Sequence, residues 1–195
     1  MPSMNLEQFA ELTFKFKTTE ENAVLFYAAN DDQSNYLLIA LHNGVLVMSS
    51  KPGGEIRTNP DVKYNDKEWH YVLATKTLKQ MRLDIDDINS VEIEFSEEAL
   101  VKTTTPMYFG GVPEEYTILA DALPSYEPLV GCLGDTNVNN RFQNFADSRD
   151  QKGASLATCP LADDYEEPSV PQATEAVPVT DYEYPSKHDL FLFIK

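Results

Sequence analysis

The sequence has little basic charge for its length. Its 195 residues contain 15 Lys and Arg against 32 Asp and Glu, which gives a formal net charge of −17. Such a chain repels the phosphates of nucleic acids and anionic lipid surfaces, so it is not expected to bind nucleic acid. The chain also lacks any run close to the roughly 18 consecutive apolar residues of a membrane span, so no membrane insertion is expected.

Cysteine is scarce as well. Cys132 and Cys159 are too far apart for a redox CxxC pair and too few for a four-ligand zinc site. The sequence leaves two alternatives, a disulfide or two buried free thiols. A disulfide requires an oxidising compartment, yet Glu7 and Glu11 lie where a secretory signal would need a basic flank and an apolar run. We therefore expect a piece of a longer exported chain.

Composition changes after Pro160. Residues 1–160 contain 13 basic and 24 acidic side chains, whereas residues 161–195 contain two and eight. The second part combines acid, Pro, Thr and isolated Tyr without apolar periodicity, which is typical of disorder. The sequence predicts a folded domain over residues 1–160 and an acidic, Pro/Thr-rich disordered linker or tail over residues 161–195. The closing hydrophobic run Leu190–Ile194 either opens a further strand at a truncation point or clamps onto the domain.

Before residue 160 the apolar residues recur with a period of two in short segments separated by turn signals, which predicts an all-β fold. Leu12, Phe14 and Phe16 alternate with polar residues. Asn43-Gly44 is typical of a two-residue hairpin turn, because both positions must accept a positive φ. A two-sheet antiparallel sandwich fits the strand count better than a small barrel. Further strands are expected at Val24–Tyr27, Tyr36–His42, Val45–Ser50, Trp69–Lys76, Gln80–Ile85, Ser90–Phe95, Met107–Phe109 and Leu133–Val138.

An ordered series of motifs now points to a family. The series runs Leu12-Thr-Phe-Lys-Phe-Lys-Thr, Val24-Leu-Phe-Tyr, Asn35-Tyr-Leu-Leu-Ile-Ala-Leu, Asn65-Asp-Lys-Glu-Trp69-His70-Tyr-Val, Leu83-Asp-Ile-Asp-Asp87, Tyr108-Phe-Gly110-Gly111-Val-Pro113, Gly131-Cys132-Leu-Gly-Asp135 and Cys159. From about Glu11 to Cys159 the chain resembles laminin G-like domains, and the stretch from Tyr108 to Pro160 looks most like a laminin α chain. Single motifs are weak, but their order is specific.

The resemblance implies a laminin G-like, concanavalin-like jelly-roll sandwich closed by a disulfide between Cys132 and Cys159. Family members usually begin with one or two strands upstream of the position of Leu12, so an N-terminal truncation is expected. The implied function is a non-catalytic adhesion module of a basement-membrane laminin α chain, secreted into the extracellular matrix. The implied partners are cell-surface receptors of the integrin or dystroglycan type, neighbouring laminin G-like modules and laminin chains. The alternative is a calcium-dependent, lectin-like glycan-binding module.

The resemblance also raises the question of a calcium site. Related domains often bind Ca²⁺ at a rim of the sandwich, and the first ligand position falls on Asn35, with Asp31 and Asp32 nearby. The second falls near Lys102, which offers no oxygen and adds a repelling charge. A solvated hairpin loop explains the same acidic residues. The expected cofactor is therefore none, or a weakly bound Ca²⁺.

Two features resemble catalytic sites. Trp69-His70 has an aromatic residue beside a histidine, but in a strand Trp69 and Tyr71 share one face and His70 takes the other, so we expect a core Trp and a partly exposed His. Glu92 and Glu94 share a strand face, as paired glycosidase carboxylates do. Their alternation with apolar residues is also what a strand with one solvated side produces, and no nucleophile motif is present. The sequence therefore predicts no enzyme.

Two surface sets complete the predicted sites. The cations Lys76, Lys79 and Arg82 form the clearest basic cluster and are a candidate binding patch, although a solvated turn explains them too. The tyrosines Tyr165, Tyr182 and Tyr184 lie beside carboxylates in the predicted tail, where a secretory route would present them to sulfating enzymes. Chance placement in an acidic linker is the simpler alternative.

Overall fold

A computed structural model describes residues 6–112, 127–148, 151, 153–157, 159 and 191–194. Residues 161–190 of the predicted linker or tail (161–195) lie outside these residues. The same holds for the candidate sulfation sites Tyr165, Tyr182 and Tyr184. The described residues form thirteen strands and one short 3-10 turn at Phe145–Asp147. The strands are β1 (Ala10–Thr18), β2 (Ala23–Ala29), β3 (Tyr36–His42), β4 (Val45–Lys51), β5 (Gly54–Arg57), β6 (His70–Lys76), β7 (Gln80–Ile85), β8 (Asn89–Glu94), β9 (Tyr108–Phe109), β10 (Gly131–Val138), β11 (Arg141–Phe142), β12 (Ala154–Ala157) and β13 (Phe191–Ile194).

Two antiparallel sheets face each other, as the alternating pattern predicts. The larger sheet has the strand order β12-β13-β10-β1-β6-β7-β8, with β11 paired to β10. The smaller sheet has the order β5-β4-β3-β2-β9. Leu12, Phe14 and Phe16 of β1 are fully buried on the inward face of the larger sheet. They pack with Leu25, Ile39, Met48 and other inward residues of the smaller sheet in one core. The predicted jelly-roll sandwich is confirmed.

The turn between β3 and β4 is the one that the Asn-Gly pair predicts. Asn43 and Gly44 have φ values of +52° and +74°. A two-residue turn with both values positive matches the twist of the flanking strands and fixes their register. Tyr36 therefore pairs with Lys51 and His42 with Val45.

The smaller sheet departs from simple alternation because it is buried on both faces. All seven residues of β2 are buried. Its outward side chains form a second apolar cluster, made of Val24, Tyr27, Ala29, Leu38, Ala40 and Val47. Strands buried on both faces are continuously apolar rather than alternating. This explains why the run from Ala23 to Ala29 is longer than the predicted strand.

Four short strands were not fully predicted. β5 of the smaller sheet and β11 and β12 of the larger sheet are short elements with weak apolar patterning. β13 settles the two alternatives left open for the terminal hydrophobic run, because it pairs with β10 on one side and β12 on the other. Residues 191–194 thus belong to the sheet of the domain. A disulfide joins Cys132 of β10 to Cys159, as the family resemblance implied.

Gly131 at the start of β10 provides a test of the β1–β10 packing. A Cβ atom at this position would lie 2.4 Å from the carbonyl oxygen of Lys17, a backbone atom that cannot rotate away. We expect Gly131→Ala to lower the free energy of unfolding by about 2 kcal/mol, as overpacking does. Gly54→Ala is the matched control, because nothing lies within 4 Å of its Cβ position. Urea denaturation that shows equal stability for both variants would contradict the register.

Candidate functional site

Strand β6 begins at His70, directly after Trp69. The side chains that point into the core from β6 are the opposite set from the one predicted. His70, Val72 and Ala74 point inward and are buried, whereas Tyr71 is 42% exposed on the outer face. Trp69 is half-buried, and the Lys15 Nζ atom of the outer face lies 5.2 Å from its ring centroid. The expectation of a core Trp and a partly exposed His is therefore wrong. The signal that decides it is the apolar parity of Val72 and Ala74, which His70 shares.

His70 is a buried polar link between two loops. Its Nδ1 atom lies 2.7 Å from Asp86 Oδ2, and its Nε2 atom lies 2.9 Å from Asp66 Oδ1. The rings of Phe16 and Tyr64 pack against the imidazole, with centroids 5.5 and 5.1 Å away. Burial raises the pKa of Asp66, but hydrogen bonds from the Glu68 backbone and His70 outweigh it, so the net pKa is lowered. These contacts give His70 a structural role.

The Asp86 carboxylate that contacts His70 also fixes the β7–β8 hairpin turn. Asp86 Oδ1 accepts a hydrogen bond of 2.7 Å from the backbone nitrogen of Tyr71. Asp86 and Asp87 have φ values of +54° and +55°, a left-handed conformation that Asp tolerates better than most residues. The turn therefore holds Ile88 at its tip, where this side chain is 83% exposed.

Contacts of Lys15 group it with Trp69, Asp135 and Tyr71, and the turn that is hydrogen-bonded to Tyr71 carries Ile88. We call these five residues the Trp69 surface. Lys15 pairs with Tyr71 across the β1–β6 ladder. Its Nζ atom lies 2.7 Å from Asp135 Oδ2. The Lys15 cation thus contacts both the Trp69 ring and a carboxylate. Tyr71 and Ile88 add exposed apolar area, which is typical of interface anchors.

The residues of the candidate calcium loop are brought together by hydrogen bonds. Thr104 Oγ1 donates to Asp31 Oδ1 at 3.0 Å, and the Lys102 backbone nitrogen donates to Asn35 Oδ1 at 3.4 Å. Asp32 accepts from Ser34, and these hydrogen bonds lower the pKa of the Asp32 carboxyl. Ca²⁺ needs six to eight oxygens. Within the described residues no group of three or more His, Cys, Asp or Glu could hold a metal.

The predicted basic cluster is not a surface patch. Lys76 shares the inward parity of β6 and is fully buried, with its Nζ donating to the Ala99 carbonyl oxygen and lying 6.0 Å from the Phe95 ring centroid. Arg82 is held by Asp84 at 2.8 Å and lies 4.0 Å from Glu92. Lys79 is exposed and donates to the Ser96 carbonyl oxygen. The prediction of three clustered surface cations is therefore wrong for Lys76.

The carboxylates considered for glycoside hydrolysis lie on the solvated side of β8. Glu92 and Glu94 are exposed, while Val91 and Ile93 pack against the core. Glu92 accepts a hydrogen bond of 3.2 Å from Gln80. Exposed side chains of this kind lack the apolar enclosure in which a glycosidase holds its general acid. In the described part of the chain, no helix is long and apolar enough to cross a membrane.

The two antiparallel sheets and the disulfide near the end of the domain define a β-sandwich of the jelly-roll class. Residues 16–141 match the family described as Laminin G domain. That match covers more than half of the sequence. The chain therefore belongs to the laminin G domain family.

Known proteins agree with this assignment. The chain is 34% identical over 160 residues to laminin subunit alpha of Drosophila melanogaster, which covers 82% of this chain and 4% of that protein. Mouse laminin alpha1 domains LG4-5 superpose with a TM-score of 0.63 and 17% identity, covering 73% of this chain and 38% of theirs. The LG1-3 region of the laminin alpha2 chain gives 0.61 and 24%, covering 74% and 29%. At these identities, the two structures establish the fold.

The calcium loop can be tested by restoring an acidic ligand. We expect about 1 mM Ca²⁺, a concentration that saturates or half-saturates many extracellular sites, to leave the Tm of the natural chain unchanged. Lys102→Asp removes the repelling ammonium beside Asn35 and should make the Tm rise with Ca²⁺. Mg²⁺ at the same concentration is the control for non-specific screening. A Ca²⁺-dependent rise in the natural chain would show that the loop binds the ion as it stands.

Lys76 makes stability depend on pH. Burial lowers its pKa from 10.5 to about 8, so the folded state releases this proton before the unfolded state does. Stability should therefore rise between pH 8 and pH 10, by up to about 3 kcal/mol. Lys76→Met removes this contribution. The free energy of unfolding of the natural chain, measured in urea titrations, should therefore rise relative to that of the variant between pH 7 and pH 10. The exposed Lys79→Met is the control, and an equal pH profile for Lys76→Met and the natural chain would refute the assignment.

Proposed function

We propose that this domain is a non-catalytic adhesion module of a laminin α-type chain and that the Trp69 surface binds a cell-surface protein receptor. The observation that carries the proposal is the exposure of two apolar side chains, Ile88 at 83% and Tyr71 at 42%, on segments that the hydrogen bond from the Tyr71 nitrogen to Asp86 joins. Leaving such side chains in water costs hydrophobic free energy, which a partner recovers by covering them. The membership in the laminin G domain family supports an extracellular role.

Charge indicates which kind of receptor fits. Asp86 and Asp87 flank the tip, Asp66 and Glu68 lie at the start of the neighbouring strand, and the whole chain has a net charge of −17. Sulfated or phosphorylated glycans are repelled by this surface, whereas a basic protein surface is attracted. The burial of Lys76 removes one of the three cations that a polyanion would need. An integrin-type protein receptor is therefore favoured over a dystroglycan-type glycan.

The relatives support a proposal for the location of this domain. The chain spans 4% of the length of the Drosophila subunit, in which the matching module is part of a much longer protein. We place it in a secreted chain of the extracellular matrix, at basement membranes, beside further laminin G-like modules and other laminin chains. The disulfide between Cys132 and Cys159 is compatible with that oxidising environment.

A binding assay tests the proposal. Ile88→Ser combined with Tyr71→Ser should weaken binding of the full chain to immobilised integrin ectodomains by about tenfold or more, because apolar anchors dominate interface energy. Phe9→Ser is the matched control, since Phe9 is 45% exposed and precedes Ala10, which pairs with Lys76 at the opposite end of β6 from Tyr71. Unchanged binding by the double variant would exclude the Trp69 surface. Failure of the natural chain to bind any integrin or dystroglycan ectodomain would exclude the adhesive function.

A further inference from the structure

The terminal strand β13 fills a slot inside the larger sheet. It pairs through its backbone with β10, where Gly131 and Leu133 face Ile194 and Leu192. It also pairs with β12 over all four of its residues. Removing β13 would leave two strand edges with unpaired N–H and C=O groups facing each other, and such edges recruit another strand.

The two walls of this slot are connected independently of β13. β10 and β12 belong to one continuous stretch of chain that passes through the 3-10 turn at Phe145–Asp147. The disulfide from Cys132, within β10, to Cys159, two residues after β12, closes this stretch into a covalent loop. Phe145 anchors the loop in the main core. The walls therefore stay together when the strand leaves, and the slot remains ready to accept a replacement.

The strand itself is held by a long tether. Ala157 and Phe191 face each other across the β12–β13 ladder, and residues 160–190 link the disulfide-bonded Cys159 to β13. A stretch of this length can extend on the order of 100 Å, several times the radius of gyration of a domain of this size. Four residues of strand contribute little cooperative stability, so their release is a local event rather than global unfolding.

We propose that the slot between β10 and β12 is a strand-acceptor site and that β13 of a second copy of this chain can occupy it, giving a strand-exchanged dimer. The occupant has the same sequence in either case, so every backbone pair formed within one chain is formed equally between two. Exchange is governed by concentration, because a chain segment of this length that links the strand to its own domain would give it an effective concentration of about 1 mM. Local crowding of modules in a matrix favours the exchange. This inference is independent of the proposed receptor binding.

Paired cysteines test the exchange in the full chain. Ala154 and Ile194 are direct partners across β12 and β13. Ala154→Cys and Ile194→Cys placed in the same chain should form a disulfide within that chain, so the double variant should stay monomeric on a non-reducing gel. The two substitutions placed in separate chains and mixed at about 1 mM, the effective concentration of the tether, should form an interchain bond between these two positions. Its yield, measured by peptide mass mapping under non-reducing conditions, should rise with total concentration.

Ser155→Cys mixed with Ile194→Cys is the matched control. Ser155 pairs with Phe193, so its side chain leaves the sheet on the face opposite to that of residue 154. Random collisions cross-link this pair as readily as the first, whereas strand exchange does not. An interchain yield no higher than that of the control, with the internal bond still forming in the double variant, would show that β13 stays in its own chain. Absence of the internal bond would show that β13 does not occupy the slot. Either result overturns the proposal.

Discussion

The antiparallel register of β1 between β6 and β10 is the constraint on which the rest of the molecule depends. It pairs Phe16 with His70 and Lys15 with Tyr71 in adjacent rungs of one ladder. Successive side chains of a strand leave on opposite faces, so these two rungs divide a buried polar link from an exposed aromatic surface. A slip of one residue would put Tyr71 in the core and His70 in water. The buried core and the Trp69 surface thus both depend on this one register.

Much of this arrangement could be predicted from the sequence. Period-two patterning and the Asn43-Gly44 turn indicated the sandwich, and Tyr36–His42 and Gln80–Ile85 have the bounds expected. The inward position of Lys76 could not be expected from its charge, because burial of a lysine is rare. It follows from parity with Val72 and Ala74, and the same argument applies to His70. The pairing of residues 191–194 was only one of two alternatives, because a contact so distant in sequence has no local signal.

Two ionisable side chains inside this core are tolerated because they meet partners that the fold brings from far along the chain. His70 meets Asp86, and the Lys76 ammonium meets the Ala99 carbonyl. Buried polar groups without partners cost more free energy than the bonds themselves provide, so such contacts specify one arrangement of the loops. The hairpin tip that presents Ile88 is positioned by one of these contacts. The position of Ile88 in the Trp69 surface therefore depends on the contact between His70 and Asp86 at the edge of the core.

The Asn43-Gly44 turn has a consequence for the chemical stability of the chain. An Asn-Gly pair ages by deamidation, in which the glycine nitrogen attacks the asparagine side-chain carbonyl carbon and closes a succinimide ring. Here the Gly44 nitrogen donates a hydrogen bond of 2.8 Å to the Glu21 carbonyl oxygen, which engages the attacking atom. The Asn43 carbonyl oxygen is held in turn by Lys63 at 2.7 Å. The contacts that set the register of the smaller sheet also slow the covalent decay of its most labile peptide unit.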